Sequence, residues 1–338
     1  MNKTTMQAAQ QQSYGLDTDV VLCPIPTVGE HEVLVQVAAA GVDRGTWHLM
    51  TGLPYVMRLG TGLSKPRRRI PGRDLAGTVV QIGSKVTDFA VGDEVLGIAS
   101  GAFAEYAVAR ESKLVAKPAT LDMDQAAVLA TSGLTAWQAL HTHGKVKTGQ
   151  RVLVLGASGG VGTFAVQIAR AAGAEVTGVC SSEKAELVAS LGAKHVLDYR
   201  TDPIDGTFDL IIDIGGRSSL RRLRSLTRPG GTVVLVGGEG GGSFTGGVGR
   251  QIRAAMLSPF VSQRLVMMIA SENKDDLTAL VDLVRSGDVA AAVGRTFPLE
   301  AASDAVRHLV EGQAMGKVVV RVSETTDTQE HRTQAAQA

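Results

Sequence analysis

The stretch Val152-Leu153-Val154-Leu155-Gly156-Ala157-Ser158-Gly159-Gly160-Val161-Gly162 decides how the rest of the chain is read. Its first four residues are all apolar, as expected of a short strand buried on both faces in a parallel sheet. After the glycines the period changes. Val161, Phe164, Ala165, Ile168, Ala169 and Ala172 recur at helical spacing, and Gly173 stops the helix. Between strand and helix, Gly156, Ala157, Ser158, Gly159, Gly160, Val161 and Gly162 let the backbone approach a pyrophosphate. The helix N-terminus adds unbonded N–H groups and the positive end of its dipole. A glycine pattern alone is weak, but a strand before it and a helix after it point to a dinucleotide site. The competing reading is a tight strand–helix turn with no ligand.

The same alternation continues downstream. Glu175–Cys180 reads as a strand, Glu183–Leu191 as a helix ended by Gly192, and His195–Leu197 and Phe208–Asp213 as strands. A helix near Ser218–Thr227 follows. Pro229-Gly230-Gly231 then turns into a strand at Thr232–Val236, and Leu265–Ile269 is a weaker sixth candidate. This rhythm predicts an α/β fold with a doubly wound parallel (Rossmann) sheet. Upstream, the short β-rich runs Glu32–Val37, Gly77–Ile82, Glu94–Ile98 and Ala104–Val108 suggest a mostly antiparallel β domain. A helix at Glu300–Glu311 precedes a last strand, Lys317–Val322, which needs a sheet to join. We therefore expect a discontinuous outer domain, 1–124 plus 269–325, around an inserted domain at 125–268, with a disordered tail at 326–338.

Composition narrows the classes. The chain has 338 residues, enough for about two domains at roughly 100–200 residues each. Lys plus Arg number 34 and Asp plus Glu 33, so a dedicated nucleic-acid binder is not expected. Two cysteines, Cys23 and Cys180, exclude a disulfide framework and a four-cysteine zinc site. The Gln-rich stretch Met1–Gln12 lacks the pattern of a secretory signal, and no apolar run is long enough for a membrane span. The expected location is cytoplasmic and the expected partner a small-molecule substrate. The polar tail from Ser323 to Ala338 reads as frayed.

The second strand of the nucleotide unit bears on which dinucleotide binds. Sites for NAD carry Asp or Glu at its end, bonding the ribose 2′-OH. Here it ends Val179-Cys180-Ser181-Ser182-Glu183-Lys184. Two hydroxyls and a lysine suit a 2′-phosphate, so NADPH is favoured. Ser182 alternatively caps the following helix.

These features resemble the medium-chain dehydrogenase/reductase superfamily, and within it the zinc-independent quinone oxidoreductase-like branch. The resemblance rests on Pro71-Gly72-Arg73-Asp74-Leu75-Ala76-Gly77, Val91-Gly92-Asp93-Glu94-Val95 and Gly101-Ala102-Phe103-Ala104-Glu105-Tyr106. It continues with Gly133-Leu134-Thr135-Ala136, the glycine loop and Gly316-Lys317-Val318-Val319. It implies a Rossmann domain beside a discontinuous GroES-like catalytic domain, and a homodimer. It puts Thr135 and the turn Val236-Gly237-Gly238 near the nicotinamide, Ser181, Lys184 and Tyr199 near the 2′-phosphate, and Lys317 near the cleft. Tyr199 is equally readable as a buried aromatic with a polar tip. Zinc members place a catalytic Cys and His in two outer-domain loops. Those positions correspond to Asp43 and Arg73 here, so no metal is expected. His141 and His143 read as a helix terminus before Gly144.

Without zinc, a simple ketone is a poor hydride acceptor. A quinone or an α,β-unsaturated carbonyl spreads the incoming charge onto oxygen and needs only a donor there. The expected activity is therefore NADPH-dependent reduction of such an acceptor. His48, in Thr46-Trp47-His48, is the candidate proton donor. Two rivals remain: zinc-free alcohol or carbonyl redox on the same fold, and a non-catalytic NADPH-binding scaffold. Lys65, Arg67, Arg68, Arg69 and Arg73 form either a solvated loop or a steering patch for an anionic substrate. The eight glycines of Gly237–Gly249 form a flap or a plain connection, and apolar Ile252–Met256 lines a pocket or a dimer contact.

Overall fold

A computed structural model describes residues 3–238 and 242–323. The chain opens with a hairpin, β1 (Thr5–Gln10) with β2 (Asp19–Pro24), followed by β3 (Glu32–Val42), α1 (Arg44–Thr51) and α2 (Arg58–Thr61). Next come β4 (Asp74–Ile82), β5 (Glu94–Ile98), β6 (Tyr106–Arg110), β7 (Leu114–Ala116), α3 (Met123–Ala126) and α4 (Ala130–Trp137). The nucleotide unit runs β8 (Arg151–Leu155), α5 (Gly160–Ala171), β9 (Glu175–Cys180), α6 (Ala185–Ser190), β10 (His195–Asp198), β11 (Phe208–Asp213) and α7 (Leu220–Ser225). It ends with β12 (Thr227–Leu235), α8 (Val248–Leu257) and β13 (Arg264–Met267). Then follow α9 (Lys274–Arg285), β14 (Val293–Pro298), α10 (Ala302–Val310) and β15 (Lys317–Arg321).

Strands β8–β13 form a six-stranded parallel sheet in the order β10-β9-β8-β11-β12-β13. Chain order reverses between β8 and β11, and ligands of doubly wound sheets bind at that switch point. Val152, Leu153 and Val154 are fully buried because helices cover both faces. The outer sheet runs β14-β15-β3-β4-β5-β7, with β6 also on β3. Its last strand, β15, pairs antiparallel with β3, with Val318 opposite Val42. This is the sheet that the lone C-terminal strand needed. The α/β class, the parallel Rossmann sheet and the β-rich GroES-like unit all agree with the sequence reading.

Local differences have physical causes. Pro229-Gly230-Gly231, expected as a turn before a strand, lies inside β12 as an irregularity between the pairs Phe208–Thr227 and Leu210–Thr232. Gly230 takes φ +76 there, which absorbs the extra residues. His48 lies inside α1, which Asp43 caps by accepting from the Thr46 N–H at 2.9 Å. Ser182 caps no helix: it opens a short turn, and α6 begins with no side-chain cap. The chain near His141 and His143 ends a helical segment, with Lys145 closing it at φ +53. Glu239, Gly240 and Gly241 of the glycine-rich stretch, and the tail from Glu324, lie outside the described residues. Among the described residues no helix is long and apolar enough to cross a membrane.

Candidate active site between the two domains

The glycine loop is built by close approach. Gly156 adopts φ +91, and its N–H and that of Ala157 both reach the Val179 carbonyl, at 3.1 and 3.0 Å. A Cβ on Gly162 would stand 2.1 Å from the Gly156 carbonyl, so only glycine lets α5 pack this tightly on β8. Gly159 caps α5 without a side chain, and the first intrahelical bond is Thr163 N–H to Gly159 C=O at 2.9 Å. The N–H groups of Gly160, Val161 and Gly162 therefore precede the helix ladder, which leaves them as donors for an anion at the helix N-terminus. A Cβ on Gly159 would meet nothing closer than 3.6 Å, which leaves room above the loop.

At the far end of β9, Ser181 is buried and Ser182 exposed, its N–H on Asp198 Oδ2 at 3.1 Å. Tyr199 is 56% exposed, not a core aromatic, and the Arg200 guanidinium lies 5.2 Å over its ring. Glu183, three residues past the end of β9, pairs with Arg200 at 2.9 Å. The Ser181 hydroxyl, its own N–H and Arg200 hold its carboxyl down at about 2. Lys184 turns elsewhere. Its Nζ donates to the Gly312 and Ala314 carbonyls, each at 2.7 Å, and burial pushes its ammonium below the usual lysine range. The cation beside the two serines is thus Arg200, which the sequence reading passed over.

The other half of the crevice comes from α1 and β4. Trp47 and His48 stack edge to face at 4.8 Å, and His48 Nδ1 lies 2.6 Å from the Leu53 carbonyl. That carbonyl can only accept, so Nδ1 carries a hydrogen and Nε2 is left for a ligand. Nearby lies a polar cluster of which the sequence reading named only Lys317, as a residue near the cleft. Asp74 is fully buried at the start of β4, and accepts from the Thr131 N–H at 3.1 Å and from the Thr131 hydroxyl. Lys317, 1% exposed, donates to Ser132 Oγ at 2.9 Å and to the Val42 carbonyl at 3.1 Å, and lies 4.0 Å from Asp74 Oδ2. Burial pushes the Asp74 carboxyl up to about 7, helped by Asp43 and opposed by Lys317, Thr131 and Arg73.

Lys317 also links the two domains. Its stem passes α5, where a Cβ on Gly160 would stand 2.8 Å from Lys317 Cδ. The preceding N–H, that of Gly316, donates to the Ser158 carbonyl in the glycine loop at 3.1 Å. Lys317 therefore lies beneath the loop, and its ammonium is held by protein groups. Thr135 is half-buried in α4 and back-bonds to the Thr131 carbonyl at 2.7 Å. Val236 and Gly237 donate to the Asp213 carbonyl at 3.0 and 3.1 Å, which fixes the turn beside the switch point. Gly238 packs directly on Gly247, where a Cβ would come within 2.7 Å of Cα. Above it, Tyr55 and Val56 N–H groups reach the Ser243 and Phe244 carbonyls at 2.9 and 3.2 Å. Asp213, buried at the end of β11, pairs with Arg250 of α8. A charged residue ending the apolar run Leu210-Ile211-Ile212 was the available sign of it.

Residues 29–119 match the alcohol dehydrogenase GroES-like domain, and residues 191–320 match the zinc-binding dehydrogenase family. The chloroplast envelope quinone oxidoreductase homolog of Arabidopsis thaliana is 32% identical, over 93% of this chain and 98% of its own length. The chain belongs to the medium-chain dehydrogenase/reductase superfamily. A mitochondrial NAD(P)H oxidoreductase of Bos taurus is 35% identical to this dehydrogenase/reductase over 74% of the chain and 70% of its own length. The solved quinone oxidoreductase of Coxiella burnetii superposes with a TM-score of 0.83 at 28% identity, covering 94% of this chain and all of its own.

Zinc, which one matched family name implies, does not fit the residues of this dehydrogenase/reductase. Asp43 and Arg73 stand at the two positions that the resemblance gives to metal ligands. A Cβ on Gly45 would stand 2.8 Å from Asp43 Oδ1 and 3.4 Å from Arg73 Nη1, so carboxylate and guanidinium share one small space. A guanidinium there repels a divalent cation and offers it no lone pair. Among the described residues no three His, Cys, Asp or Glu side chains gather so as to hold a metal ion. A dinucleotide does fit, in the glycine cradle and along the serines beyond β9.

Proposed function

We propose that this NAD(P)H-dependent oxidoreductase uses NADPH to reduce a quinone or an α,β-unsaturated carbonyl. The observation that carries this reading is Arg73 beside Asp43, where a zinc-dependent relative needs metal ligands. With no Lewis acid to polarise a simple carbonyl, the acceptor must be electrophilic already. Gly160, Val161 and Gly162 N–H groups would hold the pyrophosphate, and Ser181, Ser182, Tyr199 and Arg200 the 2′-phosphate. Bound there, the reduced dinucleotide supplies a hydride. The chain supplies the rest. Residues 55–56 and 243–244 are tied together by backbone hydrogen bonds and would border the acceptor. His48 acts as the imidazolium: with Nδ1–H tied to Leu53 it gives its Nε2 proton to the acceptor oxygen and is left as the neutral ring, and hydride plus proton complete a two-electron reduction.

The test is NADPH oxidation with a panel of quinones, enones and aldehydes. Turnover of quinones or enones without aldehydes supports the reading. Aldehyde turnover points to carbonyl redox, and tight NADPH binding with no turnover points to a scaffold. We also propose that two copies pair through the open edge of β13, flanked by exposed Phe260 and Ile269. Sedimentation at micromolar concentration checks this.

A further inference from the structure

The basic run 65–73 reads from sequence as either a solvated loop or a patch with a purpose. The structure places Arg67, Arg68 and Arg73 on the wall of one cavity of about 330 Å³. Its remaining wall is largely apolar, with Leu49, Met50 and Ile70. Leu49 and Met50 directly follow His48 in α1, so cavity and candidate proton donor share a helix.

The charge at this cavity is unbalanced. Arg67 Nη1 donates to the Gly60 carbonyl at 3.3 Å and Arg68 to the Ser100 hydroxyl. Both acceptors are neutral, so they orient the guanidinium groups without cancelling them. Among the described residues no carboxylate lies within ion-pair distance of either arginine. Arg73 pairs with Glu272, but the same carboxylate also serves Lys113. With Asp43 beside Arg73, two carboxylates therefore face the four cations Arg67, Arg68, Arg73 and Lys113. Asp74, next in the chain, is turned away and bonded to Thr131. The excess registers on Lys113, whose ammonium is pushed down by burial and then by Arg73, Arg110 and Arg68. An apolar floor with planar, pre-oriented guanidinium groups at its rim is built for an oxyanion on an organic stem.

We propose that this cavity binds a carboxylate, sulfonate or phosphate carried by the acceptor, whose conjugated end then lies along α1 at His48. The proposal rests on the oxidoreductase reading above and adds the charge class of its substrate. The cations would also draw such an acceptor in from solution, an effect that salt weakens.

The experiment compares a neutral naphthoquinone with its sulfonate, using the full chain at saturating NADPH. The ratio of kcat/KM, sulfonate over neutral, should be about ten or more at low salt and should shrink as salt rises. The double variant Arg67→Gln, Arg68→Gln should bring it down about tenfold. A wild-type ratio near one, or a ratio the double variant does not move, overturns the proposal. Inorganic phosphate should compete with the sulfonate alone. Equal inhibition of both acceptors would mean that the cavity serves a free anion instead, and would also overturn it. If neither acceptor is turned over, the activity reading fails separately. Quenching of tryptophan fluorescence by the sulfonate then tests the cavity directly: about tenfold weaker binding in the double variant supports it, and equal binding sinks it.

Discussion

Lys317 donates its ammonium to Ser132 Oγ at 2.9 Å, deep between the outer sheet and α4. One end of this residue thereby fixes Val42 and Asp74 beside α1, while its backbone neighbour Gly316 holds the glycine loop at Ser158. The buried cation couples the floor of the substrate side to the floor of the cofactor side.

Replacing it should expose that coupling. Lys317→Met keeps the stem and removes the charge, leaving Asp74 buried without its cation. Breaking such a pair costs roughly 3–5 kcal/mol while the remaining carboxylate stays ionised. Asp74 can escape by taking a proton. The loss in urea-unfolding free energy should therefore be large at alkaline pH and smaller at pH 6, while a loss equal at both would rule out the pairing.

Asp74 also shapes the pH dependence of the native protein. Its carboxyl titrates at about 7 when folded and at the ordinary 3.8 when unfolded. Between those values the unfolded chain releases a proton that the folded one keeps, so stability falls as pH rises and levels off above about 7. Asp74→Asn should flatten this fall. Denaturant titrations at pH 5 and pH 8 in both proteins measure it.

Cofactor choice divides between two cations. Arg200→Glu should raise KM for NADPH about tenfold or more, through loss of a charge-assisted phosphate contact, with a much smaller effect on NADH. Lys184→Met should affect NADPH and NADH alike, because its ammonium holds the Gly312 and Ala314 carbonyls at 2.7 Å. The reverse pattern in steady-state kinetics would return the 2′-phosphate to Lys184.

The glycine loop has no room for a side chain at Gly162, in the first turn of α5. Gly162→Ala puts a Cβ 2.1 Å from the Gly156 carbonyl. Overpacking of this kind costs about 1–3 kcal/mol. It should lower Tm and weaken NADPH and NADH together in binding titrations, unlike the selective effect at Arg200.

His48→Gln preserves size and polarity but cannot release a proton. We expect kcat to fall about a hundredfold with an enone acceptor, at the lower end of what a positioned acid contributes. NADPH affinity should hold, since among the described residues the His48 side chain is hydrogen-bonded to the Leu53 carbonyl alone. Unchanged turnover with every acceptor would reduce His48 to a helix residue with a structural bond.

What the sequence determined by itself was whatever depends on near neighbours. The apolar run 152–155, the helical spacing after Val161 and the glycines between them specify strand, loop and helix locally, and hence the parallel sheet. The pairing of the last strand with the N-terminal sheet followed from its need for a sheet, while its parallel partner β14 was not among the expected strands. What only the tertiary structure decided was where the long polar side chains end. Lys184 and Lys317 both look like cofactor contacts from their motifs, yet each finds protein partners far along the chain, Lys184 at Ala314 and Lys317 at Val42, 275 residues away. Arg200 carried no signal until β9 and β10 lay side by side. The arginine-lined cavity exists only because the 60–73 segment folds against α1 and the Ser100 turn. Backbone periodicity is a property of consecutive residues, whereas a flexible charged side chain settles on whichever buried acceptor the fold brings within reach.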